Sequence, residues 1–428
     1  MLVLLRLYCC SRSSANARHN KLIMKLRSIT CFIYSPLENN AIEAAGAFAT
    51  AARGAYESAG FIVQTVRLAT SPFAGWLPLV PRVSAIARVR ELEQTAKSSG
   101  FEYLCLGPAL PGELLSFEPI PELLAATQNV FFTGLMTCSG GGVSLPAVRA
   151  CAGIIEKAAR LSPDGFTNLR FAALANVPAG TPFFPAAYHA GVEPTFALAT
   201  EAADLAVQAF ENAASLSQAR EALVESLQMH AGLLEETARA LESNLGVRFG
   251  GIDFSPAPFP DDSVSLGAAI EWLGPPQLGL HGSLAAAAVL ADAIDRAQFP
   301  KAGFNGLMLP VLEDSRLALR AAQGTLSIKD LLLYSAVCGA GLDTVPLPGD
   351  TSADQLAGIL LDVAVLAQRL DKPLTARLMP IPGKSAGDRT DFQFAYFDNS
   401  RVLPVDTGHL TRSLAGDEVF YIHSRERF

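Results

Sequence analysis

Apolar runs of strand length alternate along this chain with segments of helical period, and that alternation predicts its fold class. SITCFIY at Ser28–Tyr34 reads as a buried strand, and the Ala-rich stretch Asn40–Ser58 as a helix stopped by Gly60. FIVQTVRL at Phe61–Leu68 opens the next strand, and a helix over Val83–Ser98, stopped by Gly100, leads to FEYLCLG. The pattern continues with NVFFTGLM at 129–136, a helix over 146–160, NLRFAALANV at 168–177 and TFALAT at 195–200. Beyond a long helical stretch, LGVRFGGIDFSPAP at 245–258 predicts a strand running into a Pro-rich loop. Helices near 263–273 and 283–297 then precede the strand FNGLMLPVLED, and two more helices precede Cys338. A helix over Ser352–Leu370 and the strand TARLMPIPG at 375–383 complete the series.

Such alternation predicts a mainly parallel sheet covered by helices. About nine or ten strand candidates, with no linker between them, fit a closed β/α barrel better than two open sheets. Residues 24–405 are therefore expected to form one domain, with 201–245 as an inserted helical hairpin and 406–428 as a polar tail. The apolar stripe of the hairpin suits core or a subunit interface, so a homo-oligomer stays among the expectations. Residues 1–23 combine a short apolar run with a basic stretch and no signal-peptidase pattern. They are expected to be a disordered extension ahead of a start at Met24.

Composition narrows the partners. Half of the 428 residues are apolar, 17% are charged and the net charge is −8, so the basic surface that nucleic acid or anionic lipid requires is not expected. No stretch is long and apolar enough to predict a membrane span. Seven scattered cysteines without a CxxC pair, and six dispersed histidines, fit a reducing cytoplasm better than a disulfide-built or zinc-built fold. No HExxH, GxSxG or P-loop is present.

Candidate chemistry gathers at predicted strand ends. CGAGLDTVPLPGD at 338–350 sets Cys338, Asp343 and Asp350 on a backbone rich in Gly and Pro, and predicts a shaped loop that is neither helix nor paired strand. A buried Cys followed by a Pro-rich connection is the plainer alternative. His189, Asp253, His281, Glu313 with Asp314, and Lys384 recur at similar positions. Each has an ordinary structural reading: a hydrogen-bonded His, a turn-capping Asp, acidic residues at a helix N-terminus, an exposed Lys. Pooled at one rim they would serve acid–base or metal-assisted chemistry. In that scheme Cys338 is nucleophile or proton donor, His281 or His189 is base, and Asp343 orients the loop or binds substrate. Glu313, Asp350 and Lys384 contact substrate, and Asp253 with Glu313 holds a divalent metal. TCSGGGVSLP at 137–146 adds a glycine cluster at a helix start, which suits an anion but lacks the P-loop lysine.

Four segments in order, LGVRFGGIDFSPAPFPDDSV, GLHGSLAAAAVL, LPVLEDSRLALRAAQGTLSI and CGAGLDTVPLPGDTSA, resemble the domain-of-unknown-function 711 family, also called UPF 0210. FAALANVPAGTPFFPAAYH resembles that family's upstream His-bearing segment, and the likeness runs from about Arg27 to Val405. The resemblance implies a fold like the ten-stranded β/α barrel of pyruvate formate-lyase and other glycyl-radical enzymes. There a Cys at the tip of a barrel-threading loop becomes the thiyl radical, and CGAGLD puts Cys338 in that place. The C-terminal TGHLTRSLAGDEVFYIHSRERF carries no RVxGY-type glycine loop, so no glycyl radical is expected. Two functions follow as expectations. One is an enzyme acting on a small polar or anionic metabolite by thiol and acid–base chemistry. The other is a non-catalytic metabolite-binding or regulatory protein on the same scaffold.

Overall fold

The first predicted strand extends over Lys25–Ile33, and its residues alternate between two buried faces. Ile29, Cys31 and Ile33 join the large core formed with helices such as Ala41–Ser58, while Phe32 packs on the opposite face with Ala69, Cys105 and Ala197. Burial on both faces is why the strand sequences read as nearly unbroken apolar runs. The computed structural model describes residues 24–424 except 39, 139 and 339 and the side chain of Cys338. The extension expected at 1–23 lies outside the described residues.

A ten-stranded, mostly parallel sheet organises the molecule. At its centre Lys25–Ile33, Val66–Thr70, Tyr103–Ala109, Val130–Leu135 and Phe171–Ala175 pair side by side in parallel, and the short Ile62–Val63 adds to the first of them. Thr195–Glu201 runs antiparallel beside Lys25–Ile33 and carries Arg248–Asp253 in parallel. On the other flank Leu374–Ile381 runs antiparallel beside Phe171–Ala175 and carries Gly341–Pro348 in parallel.

Two expectations need correction here. CGAGLDTVPLPGD is not a free loop: Cys338 ends the helix Ile328–Cys338, and Gly341–Pro348 is a strand paired with Leu374–Ile381. Its Pro and Gly content is tolerated because the strand lies at the end of the sheet's pairing order and its register shifts between Leu342 and Val345, where Thr344 turns to φ 39°. Conversely, FNGLMLPVLED forms no continuous strand. Within it Pro310 makes an isolated parallel bridge with Asp343, and just upstream Lys301 makes another with Ile252. Positive φ at Gly303 (74°) and Asn305 (44°) breaks the extended run, and Pro310 has no amide to donate. No continuous ladder therefore joins the two edge strands among the described residues.

One face of the sheet is covered by the connection between Phe171–Ala175 and Thr195–Glu201. Pro182 offers its carbonyl to the hydroxyls of Thr30 (2.7 Å) and Ser28 (3.4 Å), and Pro185 to the thiol of Cys105 (3.2 Å). The His189 amide bonds Thr70 O at 3.0 Å. The segment 177–189, which contains no cysteine, lies against this face, and Ala340 packs in the same apolar cluster as Val177, Phe183 and Ala186. Within 201–245 the helices are Ala203–Glu211 and Leu216–Leu245. The apolar stripe of the longer one, including Leu223, Leu227, Leu234 and Leu241, is buried within the chain. From the tail, Val419–Tyr421 pairs antiparallel with Gly142–Ser144.

Candidate functional site

The observed strands Lys25–Ile33, Val66–Thr70 and Leu374–Ile381 each carry one arginine: Arg27, Arg67 and Arg377. Strand pairing brings all three to one cavity of about 110 Å³, whose other polar wall holds Glu313 and Asp343. A buried guanidinium is costly unless it is paired, and the network shows how two of them are satisfied. Glu313 accepts from Arg27 Nη2 at 2.6 Å through Oε2 and from Arg377 Nη2 at 2.7 Å through Oε1. Arg377 Nε reaches Asp343 Oδ1 at 2.5 Å. Arg27 Nη1 extends the network to Glu201 at 3.4 Å, which also accepts from Lys25 Nζ at 3.1 Å and from Gln64.

Arg67 is different. Its Nε donates to Thr65 Oγ1 at 2.9 Å, and its guanidinium lies over the rings of Phe184 (5.2 Å) and Tyr103 (5.7 Å). No carboxylate pairs with it among the described residues. Burial pushes its pKa down to about 9, with repulsion from Arg27 adding to the shift. It stays a cation at neutral pH, in a place where an anion is missing from the protein itself.

Asp343 has its carboxyl pushed above the usual range by burial, against the attraction of Arg377 and with help from the negative charge of Glu313. A carboxylate whose affinity for a proton is raised in this way is the stronger base toward a group in the cavity. Glu313 and its neighbour Asp314 diverge. Asp314 turns away to cap the helix Ser315–Gln323 through the amides of Arg316 (2.9 Å) and Leu317 (3.1 Å). It also accepts from Leu266 N and Ser265 Oγ, both at 2.6 Å. This cap aims Glu313 into the cavity.

Of the residues expected at the site, only Glu313 and Asp343 line this cavity. Asp253 is fully buried, accepting from Ser255 N and Oγ, Phe304 N and Asn305 N at 2.6–3.0 Å. With those oxygens committed and Glu313 held by two guanidiniums, the expected Asp253–Glu313 metal pair is not assembled. No group of three or more His, Cys, Asp or Glu arranged for a metal occurs among the described residues. His189 lines a separate cavity of about 480 Å³, bonds Glu193 O through Nε2 at 3.0 Å, and is held below the ordinary histidine pKa by burial. His281 is exposed in the turn before the helix Ser283–Arg296, and Asp350 is exposed after Gly341–Pro348. Lys384 sits half-buried 3.5 Å from Asp391. The side chain of Cys338 lies outside the described residues.

The arginines were missed by the search of strand ends. Their signal was a charge embedded mid-strand, in KLRSITCFIY, VQTVRLAT and TARLMPIP. Such a charge demands a partner brought from elsewhere in the chain.

A family model described as "Uncharacterised ACR (DUF711)" matches residues 20–399. A "UPF0210 protein" of Pyrobaculum arsenaticum is 33% identical over 370 residues, covering 82% of this chain and 80% of that one. Another, of Syntrophobacter fumaroxidans, is 31% identical and covers 78% and 77%. A third, of Methanosarcina acetivorans, is 29% identical and covers 75% and 73%.

Proposed function

The chain belongs to the DUF711 family, and from that premise and its cavity we propose that it binds a small organic anion and exchanges a proton with it through Asp343. The observation that carries this reading is the buried Arg377–Asp343 pair beside a cavity wall with an arginine that lacks a carboxylate partner. Asp343, as carboxylate, takes a proton from a carbon of the anion and returns one to the same carbon, so the bond broken is re-formed, and Arg377 orients the carboxylate. Glu313 holds Arg377 and Arg27 in place, and the aromatic walls exclude water.

Mass spectrometry of small molecules released on denaturation, followed by incubation of the released compound with protein in D2O, tests the reading. The expected result is an anionic compound that takes up deuterium with wild type, at a rate cut about 10²–10⁴-fold in Asp343→Asn. A neutral ligand, or exchange undiminished in Asp343→Asn, sinks it. Binding without any exchange would favour the non-catalytic reading, which the full pairing of Glu313 by two arginines supports.

We also propose that the sheet closes into a ten-stranded barrel, with residues 301–311 as the tenth stave beside the nine strands that pair in series. The support is the pair of isolated bridges, with Ala302 N on Ile252 O at 3.0 Å and Val311 N on Asp343 O at 3.1 Å. Closure predicts hydrogen-exchange protection at the Ala302 and Val311 amides comparable to that of Leu104. Exchange at loop rates there would leave the sheet open. Free thiols at Cys31, Cys105, Cys138 and Cys151 support a reducing compartment.

A further inference from the structure

We infer that the cavity selects an amphiphilic monoanion, a single carboxylate on a flat apolar body, with the carboxylate seated on Arg67. This rests on the proposed small-anion reading and specifies its ligand class. The argument begins with charge. Among the residues that line the cavity, Arg27, Arg67 and Arg377 stand against two carboxylates, Glu313 and Asp343, so the lining holds one more cation than carboxylates. Each carboxylate is already bonded to Arg27 or Arg377, and the surplus charge is that of Arg67 alone. With its Nε taken by Thr65, Arg67 keeps the terminal amines as donors, the fork that fits a carboxylate. The rings of Phe184 and Tyr103 flank the guanidinium carbon at 5.2 and 5.7 Å, an apolar surround that strengthens its pull on an anion.

Shape supplies the rest. Apart from the charged wall, much of the lining is apolar and aromatic, with Phe131, Phe183, Phe304 and Met308 among its residues. Tyr103 and Phe184 meet Phe131 edge-on at 5.3 and 5.4 Å between ring centres, which fixes the walls as a rigid slot. A volume of about 110 Å³ is on the scale of one small ring with its carboxylate. Inorganic anions would leave those walls wet, and a dianion would leave its second charge beside Phe131 and Met308 or against the carboxylates.

Calorimetric titration of the full chain with benzoate, its neutral isostere benzamide, phthalate and inorganic phosphate tests the inference. Wild type should bind benzoate about ten- to a hundredfold more tightly than benzamide. Arg67→Gln should abolish the preference, and Arg67→Lys should retain part of it. Thermal unfolding without ligand identifies any variant that fails to fold, and the benzoate–benzamide comparison on wild type needs no variant. Equal affinity for benzoate and benzamide, or a preference intact in a folded Arg67→Gln, overturns the inference. A preference for phosphate or phthalate that depends on Arg67 overturns the ligand class while leaving the small-anion reading standing. No binding of any anion, together with no anion released on denaturation, overturns both.

Discussion

Arg377 donates its Nε to Asp343 Oδ1 at 2.5 Å, joining two neighbouring strands by a buried ion pair inside the cavity. The side chains are only 10% and 13% exposed, so solvent screens the pair little. Arg377→Met would leave Asp343 without this partner and Glu313 with only Arg27. The expected cost is about 3–5 kcal/mol, because a lone buried charge loses hydration without compensation. Urea unfolding measures it, and a loss below about 1 kcal/mol would mean that water reaches the pair.

The pH dependence of stability should carry the mark of Asp343. Its folded-state pKa is raised above the unfolded value, so the folded state binds its proton more tightly. The corresponding stabilisation is present below the unfolded pKa and is lost as pH climbs toward the raised one. Asp343→Asn should flatten that descending part of the curve. Asp253 and Asp314, both raised chiefly by burial, add to the slope with the same sign and remain in the variant. Unfolding curves collected from pH 4 upward test this. An unchanged slope in Asp343→Asn would contradict the assignment.

Asp314→Ala should be among the most damaging single changes outside the cavity. It removes a helix cap worth about 0.5–2 kcal/mol and strands buried amides at Leu266 and Gly267. A total loss of about 3–5 kcal/mol is expected by chemical denaturation. It should also weaken anion binding, since the cap sets the direction of Glu313. A loss confined to stability, with binding unchanged, would show that Glu313 is held by its arginines alone.

Gly303→Ala should destabilise through two independent effects. The residue sits at φ 74°, and an added Cβ would collide with the Asp253 carboxylate. A cost of about 2 kcal/mol or more is expected, because Asp253 organises the 302–306 turn and cannot move without losing its amides. A thermal midpoint within a degree of wild type would show that the turn adapts.

Where the strands and helices lie was largely readable from the pattern. Arg82–Ser98, Thr195–Glu201 and Ala353–Leu370 fall within a residue or so of their expected bounds, since apolar period and Gly stops are local signals. Around Cys338 and Asp343 the local signal misled. Gly and Pro read as a loop, while an edge position and a bulge let the same residues pair as a strand. FNGLMLPVLED failed the other way, because Asn305 within it and Gly303 just before it take positive φ that apolar composition does not reveal.

From the order of its residues alone, this chain determines a mixed α/β architecture, family membership and the presence of charges embedded in buried strands. Which of those charges meet was decided only by tertiary structure. Arg27, Arg67 and Arg377 lie on strands distant in sequence, and Glu313 and Asp343 come from different elements again. Their pairing depends on the sheet's order and on which face each side chain takes, and neither quantity is local. His189, His281, Asp253 and Asp350 looked equally chemical in sequence, but the same geometry sends them to another cavity, to solvent or into backbone hydrogen bonds.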